Sequence, residues 1–148
     1  MPPRIPALQL ADGLLQLSCL IHHTLDRIAA EHGLSVIQVR LLRSLRDREF
    51  GMFDLAQHLA LRKSTLTGWV NRAESRGLVV RMASPADRRA SHIHVTAEGR
   101  RLSRAIEEAV NAEIEKLVAG VSASDRDRLA SVVSQVVAAA ARDPQPKT

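Results

Sequence analysis

The sequence is poor in aromatic residues. They make up 2% of its 148 residues, and tyrosine is absent. Any core must therefore be built from Leu, Val, Ile and Ala, and a phenolic pocket lined by aromatic rings is disfavoured. Cysteine occurs once, at Cys19, which excludes an intramolecular disulfide framework. No apolar run approaches the roughly 18 residues of a membrane span. Near the N-terminus Gln9, Asp12 and Gln16 interrupt what would otherwise read as a secretory segment. These absences lead to the expectation of a reducing, cytoplasmic setting with no membrane partner. Lysine appears only at Lys63, Lys116 and Lys147, and the other basic residues are arginine, as in GC-rich bacterial genomes. There is no glycine-rich phosphate loop, no Ser-His-Asp order and no recognisable pair of catalytic carboxylates. The sequence therefore gives no ground for an enzyme or a bound cofactor.

What the chain does have is charge gathered in one place. Residues 62 to 104 hold ten Lys/Arg against three acids, a formal +7, whereas the whole chain is +5. Everything outside that stretch sums to −2. A cationic concentration of this kind suits a polyanion, nucleic acid being the commonest. A solvated basic surface is the alternative, and the internal order of the stretch decides against it. Ser64 or Thr65 is placed to cap a helix whose apolar residues Leu66, Trp69, Val70 and Ala73 share one face. The opposite face carries Ser64, Thr65, Thr67, Gly68, Asn71 and Arg72, all small or hydrogen-bonding. Such a face fits the major groove, where base edges present donors and acceptors. Gly77 follows as a helix-ending glycine. Residues 78–82 and 92–95 read as two short strands, joined by a turn tipped with Arg88 and Arg89. A helix followed by an Arg-tipped hairpin is a winged helix, whose tip can enter a neighbouring narrow groove.

In chain order, three of the six prolines fall within Met1 to Ala7, which should form a loose arm. A long helix from about residue 8 to 31 then carries the stripe Leu14, Leu17, Ser18, Ile21, Leu25 and Ile28, and Gly33 closes it. Ser35 and Gln38 form a capping-box pattern for a second helix ending near Asp47. Phe50-Gly51 is a break or short strand, with Gly51 at the cap of a third helix over about 52–60. The third and fourth helices make a helix-turn-helix. After the hairpin, a fifth helix starts at Thr96-Ala97-Glu98-Gly99 and ends at Gly120. A sixth starts at Ser122 and shows Leu129, Val132, Val133, Val136, Val137 and Ala140 on one face. The final residues, from Asp143, should fray.

The expected fold class is mainly α with a small β-hairpin wing. Residues 1–33 form an arm and a dimerisation helix, 34–99 the winged helix-turn-helix domain, and 100–148 further dimerisation helices. The apolar stripes of the first, fifth and sixth helices are longer than a core over 34–96 can cover. A second copy of the chain would cover them, and a dimer places two reading helices in successive major grooves.

With these elements placed, the chain resembles the MarR family of bacterial transcriptional regulators. The resemblance rests on Leu55-Ala56, Ser64-Thr65-Leu66-Thr67, Val70-Asn71-Arg72 and Arg76-Gly77-Leu78-Val79. The wing adds Pro85-Ala86-Asp87-Arg88-Arg89, and Val95-Thr96-Ala97-Glu98-Gly99 follows it. The resemblance implies a homodimer on a pseudo-palindromic double-stranded DNA operator, with the fourth helix in the major groove and the wing in the minor groove. It implies an ion pair between the Asp87 and Arg89 side chains, and DNA contacts from Arg62, Lys63, Ser64, Thr65, Thr67, Gly68, Asn71, Arg72, Asp87, Arg88 and Arg89. It also implies a small-molecule effector site between the dimer helices and the winged-helix lobe, here drawing on Leu14, Ser18, His22, His23, Arg40 and Arg43. Gly51 departs from the Ser or Thr cap common in the family. Trp69 stands where a smaller aliphatic is usual and reads as core filling.

Cys19, His22 and Asp26 share a face of the first helix, with His23 beside them, so a metal or thiolate site is one reading. A half-buried cysteine with surface histidines is the other, and the shortage of ligands and of tyrosine favours it. His58, His92 and His94 read as structural or solvent-facing, with a weak phosphate contact open to the last two. The leading functional reading is a dimeric repressor released by an effector. A ligand-independent architectural or autoregulatory DNA binder is the alternative. A winged-helix adaptor that no longer binds DNA is disfavoured by the intact polar face and wing arginines.

Overall fold

The computed structural model describes residues 9–142. The loose arm over Met1 to Ala7, the first residue of the expected long helix and the fraying tail from Asp143 lie outside the described residues. The elements are α1 (Leu10–Glu31), α2 (Val36–Ser44), β1 (Phe50–Gly51), α3 (Met52–His58), α4 (Lys63–Ser75), β2 (Val79–Ala83), β3 (Ser91–Val95), α5 (Ala97–Leu117) and α6 (Ala123–Arg142). The protein is mainly α with a small antiparallel sheet, ordered β1-β3-β2. Backbone contacts divide it into two compact units, residues 1–111 and 112–148.

Several elements follow directly from local chemistry. Ser35 Oγ accepts from the Gln38 N–H at 3.3 Å, and Gln38 Oε1 accepts from the Ser35 N–H at 3.0 Å. This reciprocal cap satisfies two donors that the start of α2 leaves without helical partners. The turns after α1 and α4 use Gly33 and Gly77, at φ +67° and +70°. Ala60 takes the same left-handed role between α3 and α4, at φ 55°. Its Cβ makes that conformation unfavourable, and the bond from Leu61 N–H to Ala56 O at 2.8 Å helps hold it.

The core of the first unit is aliphatic. Leu41, Leu42 and Leu45 from α2 and its cap meet Leu55 of α3, Leu66 and Val70 of α4, Val79 of β2 and Ile93 of β3. Ile28 and Ala29 of α1 and Leu102 and Ile106 of α5 belong to the same cluster. The core thus reaches beyond residues 34–96 at both ends. In the second unit, the end of α5 and the turn at Gly120 lead into α6, none of whose residues is buried.

Four local expectations need correction. The helix expected to be capped by Ser64 or Thr65 begins at Lys63, with Arg62 at the cap and no side-chain cap bond. Ser64 and Thr65 lie inside its first turn. Trp69 does not fill the core: it is half-buried and lines an open groove with Ile37 and Arg72. Leu66, Val70 and Ala73 set the centre of the buried face, and by helical spacing residue 69 falls at its margin. The second helix stops at Ser44, short of Asp47. The hairpin strands are shifted toward the tip, over 79–83 and 91–95, and Ser84 closes the ladder by donating its N–H to Ala90 O at 2.8 Å.

Candidate nucleic-acid interface

Leu66, Val70 and Ala73 anchor α4 on the core, each at 1% exposure or less. That burial turns the other face outward. Ser64, Thr65, Asn71 and Arg72 are exposed, and Thr67 and Gly68 are half-buried. Thr67 donates its hydroxyl to Lys63 O at 2.8 Å, which ties it to its own helix. The Arg72 guanidinium lies back over Gly68, where no side chain competes for the space. Arg62 and Lys63 are exposed at the helix start. The first-turn N–H groups there have no side-chain cap, so they remain open to an anion.

Asn71 is not a free side chain. Its Oδ1 accepts from Arg81 Nη2 at 2.7 Å. Arg81, on β2, is itself held by Glu74 of α4, whose Oε1 accepts from the Arg81 backbone N–H at 3.2 Å. Glu74 Oε2 pairs with the Arg81 guanidinium. Arg81 is one residue that the sequence reading missed, and the only signal was a Glu and an Arg flanking Gly77. Arg76 is another. Its guanidinium donates to Gly33 O at 2.6 Å and to His32 O at 3.1 Å, so the end of α4 is fastened to the end of α1.

The wing tip is shaped by two short polar side chains. Ser84 is buried, and its Oγ accepts from the Ala86 N–H at 3.3 Å. Asp87 Oδ1 accepts from the Arg89 backbone N–H at 2.9 Å, and Asp87 O accepts from the Ala90 N–H at 3.0 Å. The expected side-chain pair between Asp87 and Arg89 is therefore replaced by a turn: at this short separation along the chain, the carboxylate meets the amide before it meets the guanidinium. Arg88 and Arg89 are exposed.

Behind the wing, Thr96 Oγ1 donates to Gly77 O at 2.6 Å and accepts from the Gly99 N–H at 3.0 Å. A Cβ on Gly99 would lie 2.1 Å from Leu78 O. This explains the Val-Thr-x-x-Gly pattern: the first turn of α5 rests directly on the backbone that leaves α4. His92 and His94 both turn toward Glu49, with His92 Nδ1 at 3.3 Å and His94 Nε2 at 3.1 Å from its two oxygens. His58 stacks on Phe50. Glu98, on the first turn of α5, has its carboxyl held below the usual range by the hydrogen bond from Arg101.

The residues expected to line an effector site stand on the surface of α1 and α2 in this chain. Leu14, Ser18, His22, His23, Arg40 and Arg43 are all exposed. Arg43 alone among them lines a cleft of about 200 Å³, together with Leu25, Val39, Ser103, Glu107 and Asn111. Arg46 closes one side of this cleft, held by both oxygens of Glu107 at 2.8 Å. Cys19 is exposed rather than half-buried. Among the described residues, no group of three or more His, Cys, Asp or Glu side chains is arranged to hold a metal ion. No helix of the described residues is long and apolar enough to cross a membrane.

A sequence model described as MarR family matches residues 32–90. The chain is 30% identical over 128 residues to the HTH-type transcriptional regulator PecS of Dickeya dadantii (strain 3937), an alignment covering 83% of this chain and 76% of PecS. Its fold is that of wild-type MarR from E. coli in the apo form, with a TM-score of 0.78, 18% identity, and coverage of 88% of this chain and 97% of that one. It is also similar to NadR in complex with 4-hydroxyphenylacetate, with a TM-score of 0.68, 25% identity, and coverage of 92% and 97%.

Proposed function

Because the chain belongs to the MarR family of transcriptional regulators, we propose that it is a dimeric, sequence-specific DNA-binding repressor. The observation that carries this reading is the outward face of α4. It is polar, set on a rigid core and followed by a wing that exposes Arg88 and Arg89. In this reading α4 enters the major groove with Ser64, Thr65, Thr67, Gly68, Asn71 and Arg72. Arg62 and Lys63 meet phosphates at the helix start, and the wing meets the adjacent minor groove. Selection of genomic fragments by the purified protein tests it. One shared, two-fold symmetric sequence is expected among the bound fragments, and its absence would end the reading.

Release by a small molecule is the finer part of the proposal. It is supported by the Arg43 cleft, which combines an apolar floor of Leu25, Val39 and Ile106 with charged and amide groups. The bound 4-hydroxyphenylacetate of the similar NadR supports a small carboxylate as the class. A ligand that favours one spacing of the two reading helices would shift the population away from the DNA-fitting state. A screen for compounds that raise the melting temperature and weaken operator binding tests this. Compounds that do neither would favour a ligand-independent binder.

A further inference from the structure

We propose that the groove between α2 and α4 seats a DNA backbone strand, with Trp69 as a phosphate contact on the side of α4 away from the wing. This deepens the DNA-binding reading above and rests on it.

An α-helix with its side chains is about 10–12 Å across, close to the roughly 12 Å width of the major groove. A helix lying there is therefore bordered by sugar-phosphate on both flanks. At the helical period, Thr67 and Glu74 fall on one flank of α4, and Trp69, Arg72 and Arg76 on the other. The first flank faces the wing, since Glu74 holds Arg81 of β2. The second faces α2 and borders an open groove of about 760 Å³.

The lining of this groove is complementary to a sugar-phosphate chain. No acidic residue borders it. Arg72 is exposed and has no ion-pair partner among the described residues. Gln38 Oε1 accepts from the Ser35 N–H at 3.0 Å, and the Gln38 NH₂ group bonds to no described residue. The Trp69 indole is half-buried and shares the groove with Ile37, and no described residue accepts from its N–H. An indole is an apolar plate with one donor and no acceptor. The plate suits the C–H face of a deoxyribose, and the N–H suits a phosphate oxygen. Small-molecule sites enclose most of their ligand, which an open groove does not do. A polymer running through it needs no enclosure. The groove shares Asn71 and Arg72 with the outward face of α4, so a strand lying in it borders the bases which that face meets. Such a contact sets the position of the helix on the duplex and carries no sequence information.

Trp69 is the chain's only tryptophan, so its fluorescence reports on the groove alone. The first measurement is acrylamide quenching of the full-length protein, free and saturated with a short mixed-sequence duplex at low salt, where sequence-independent binding is strong. Quenching should fall in the complex. The second is titration of wild type and Trp69→Phe against the duplex enriched by genomic selection and against scrambled DNA. Trp69→Phe keeps an aromatic ring and removes the N–H. It should weaken binding to both duplexes by about ten-fold, the lower end for a hydrogen bond to a charged group, and leave the sequence preference unchanged. A wild-type complex in which Trp69 is as open to acrylamide as in the free protein overturns this proposal and leaves the DNA reading standing. So does wild-type affinity in Trp69→Phe, or a loss confined to the enriched duplex, which would make Trp69 a base reader. Protection that grows with protein concentration in the absence of DNA would place a second copy of the chain in the groove and also overturns it. If Trp69→Phe fails to fold, the wild-type quenching decides alone. A wild type that binds neither duplex ends the DNA reading and this proposal together.

Discussion

Gly99 shows how one missing methyl group can set a fold. Its place against Leu78 O leaves no room for a Cβ, and the obstacle is backbone rather than a flexible side chain. Gly99→Ala should therefore push α5 off the strand that follows α4. We expect a loss of about 1–3 kcal/mol in a denaturant titration, the usual cost of overpacking; an unchanged midpoint would mean the contact yields freely. Asp87 makes a second residue-scale case. Its carboxylate organises the wing by accepting the Arg89 N–H, a role an amide oxygen can also fill. Asp87→Asn should keep the wing shape and remove a negative charge near DNA, so operator affinity should hold or rise. Asp87→Ala should lose the turn and weaken binding, although it removes the same charge. Fluorescence titration of both variants against operator decides the matter: equal gains in affinity would mean that Asp87 acts through charge alone.

At the scale of elements, the winged helix is held by connections between consecutive pieces rather than by its core alone. Thr96 joins β3, the turn at Gly77 and the first turn of α5 through one hydroxyl. Thr96→Ala removes both bonds and should cost about 1–2 kcal/mol, as for a lost helix cap. Thr96→Ser keeps the hydroxyl and should recover most of it. Thermal melts of the two variants test this, and equal losses would point to the methyl group instead. α4 is similarly fixed twice near its C-terminal end. Arg76 ties its C-terminus to α1, and the Glu74–Arg81 pair ties it to the wing strand. In the DNA-binding reading proposed above, a helix held in this way loses little freedom on meeting DNA, which raises affinity for a given set of contacts.

At the scale of the whole molecule, apolar surface remains unaccounted for within a single chain. Leu129, Val132, Val133, Val136 and Val137 of α6 are 44–62% exposed, and Leu10, Leu14, Leu15 and Leu20 of α1 are 52–78% exposed. An exposed apolar stripe of this length on either helix, taken by itself, is uncommon on a monomeric protein in water. We expect the full-length protein to sediment as a dimer at micromolar concentration. Val133→Asp with Val136→Asp should shift it toward monomer and weaken operator binding while the first unit stays folded, as reported by circular dichroism. A full-length protein that sediments as a monomer would contradict the proposal.

The sequence by itself determined the element order, because that order rests on local signals. The Ser35–Gln38 cap, the glycines at 33 and 77, and the apolar spacing of Leu66, Val70 and Ala73 each act within a few residues. It also determined the polar character of the outward face of α4, since the buried positions leave it no other place. The Val-Thr-x-x-Gly run was visible as a motif, but its cause, the approach of α5 to Leu78 O, was not. What only the tertiary structure decided are contacts between residues distant in the chain or in competition with one another. Trp69 stands at the margin of the face that Leu66, Val70 and Ala73 bury, in an open groove rather than in the core. Asp87 met the Arg89 amide before its guanidinium. Arg81 came within reach of Asn71 only because β2 folds back along α4, so the direction in which that amide points could not be read from spacing. A helical period fixes the face on which a side chain stands, and the neighbours brought by folding fix which of its atoms remain free.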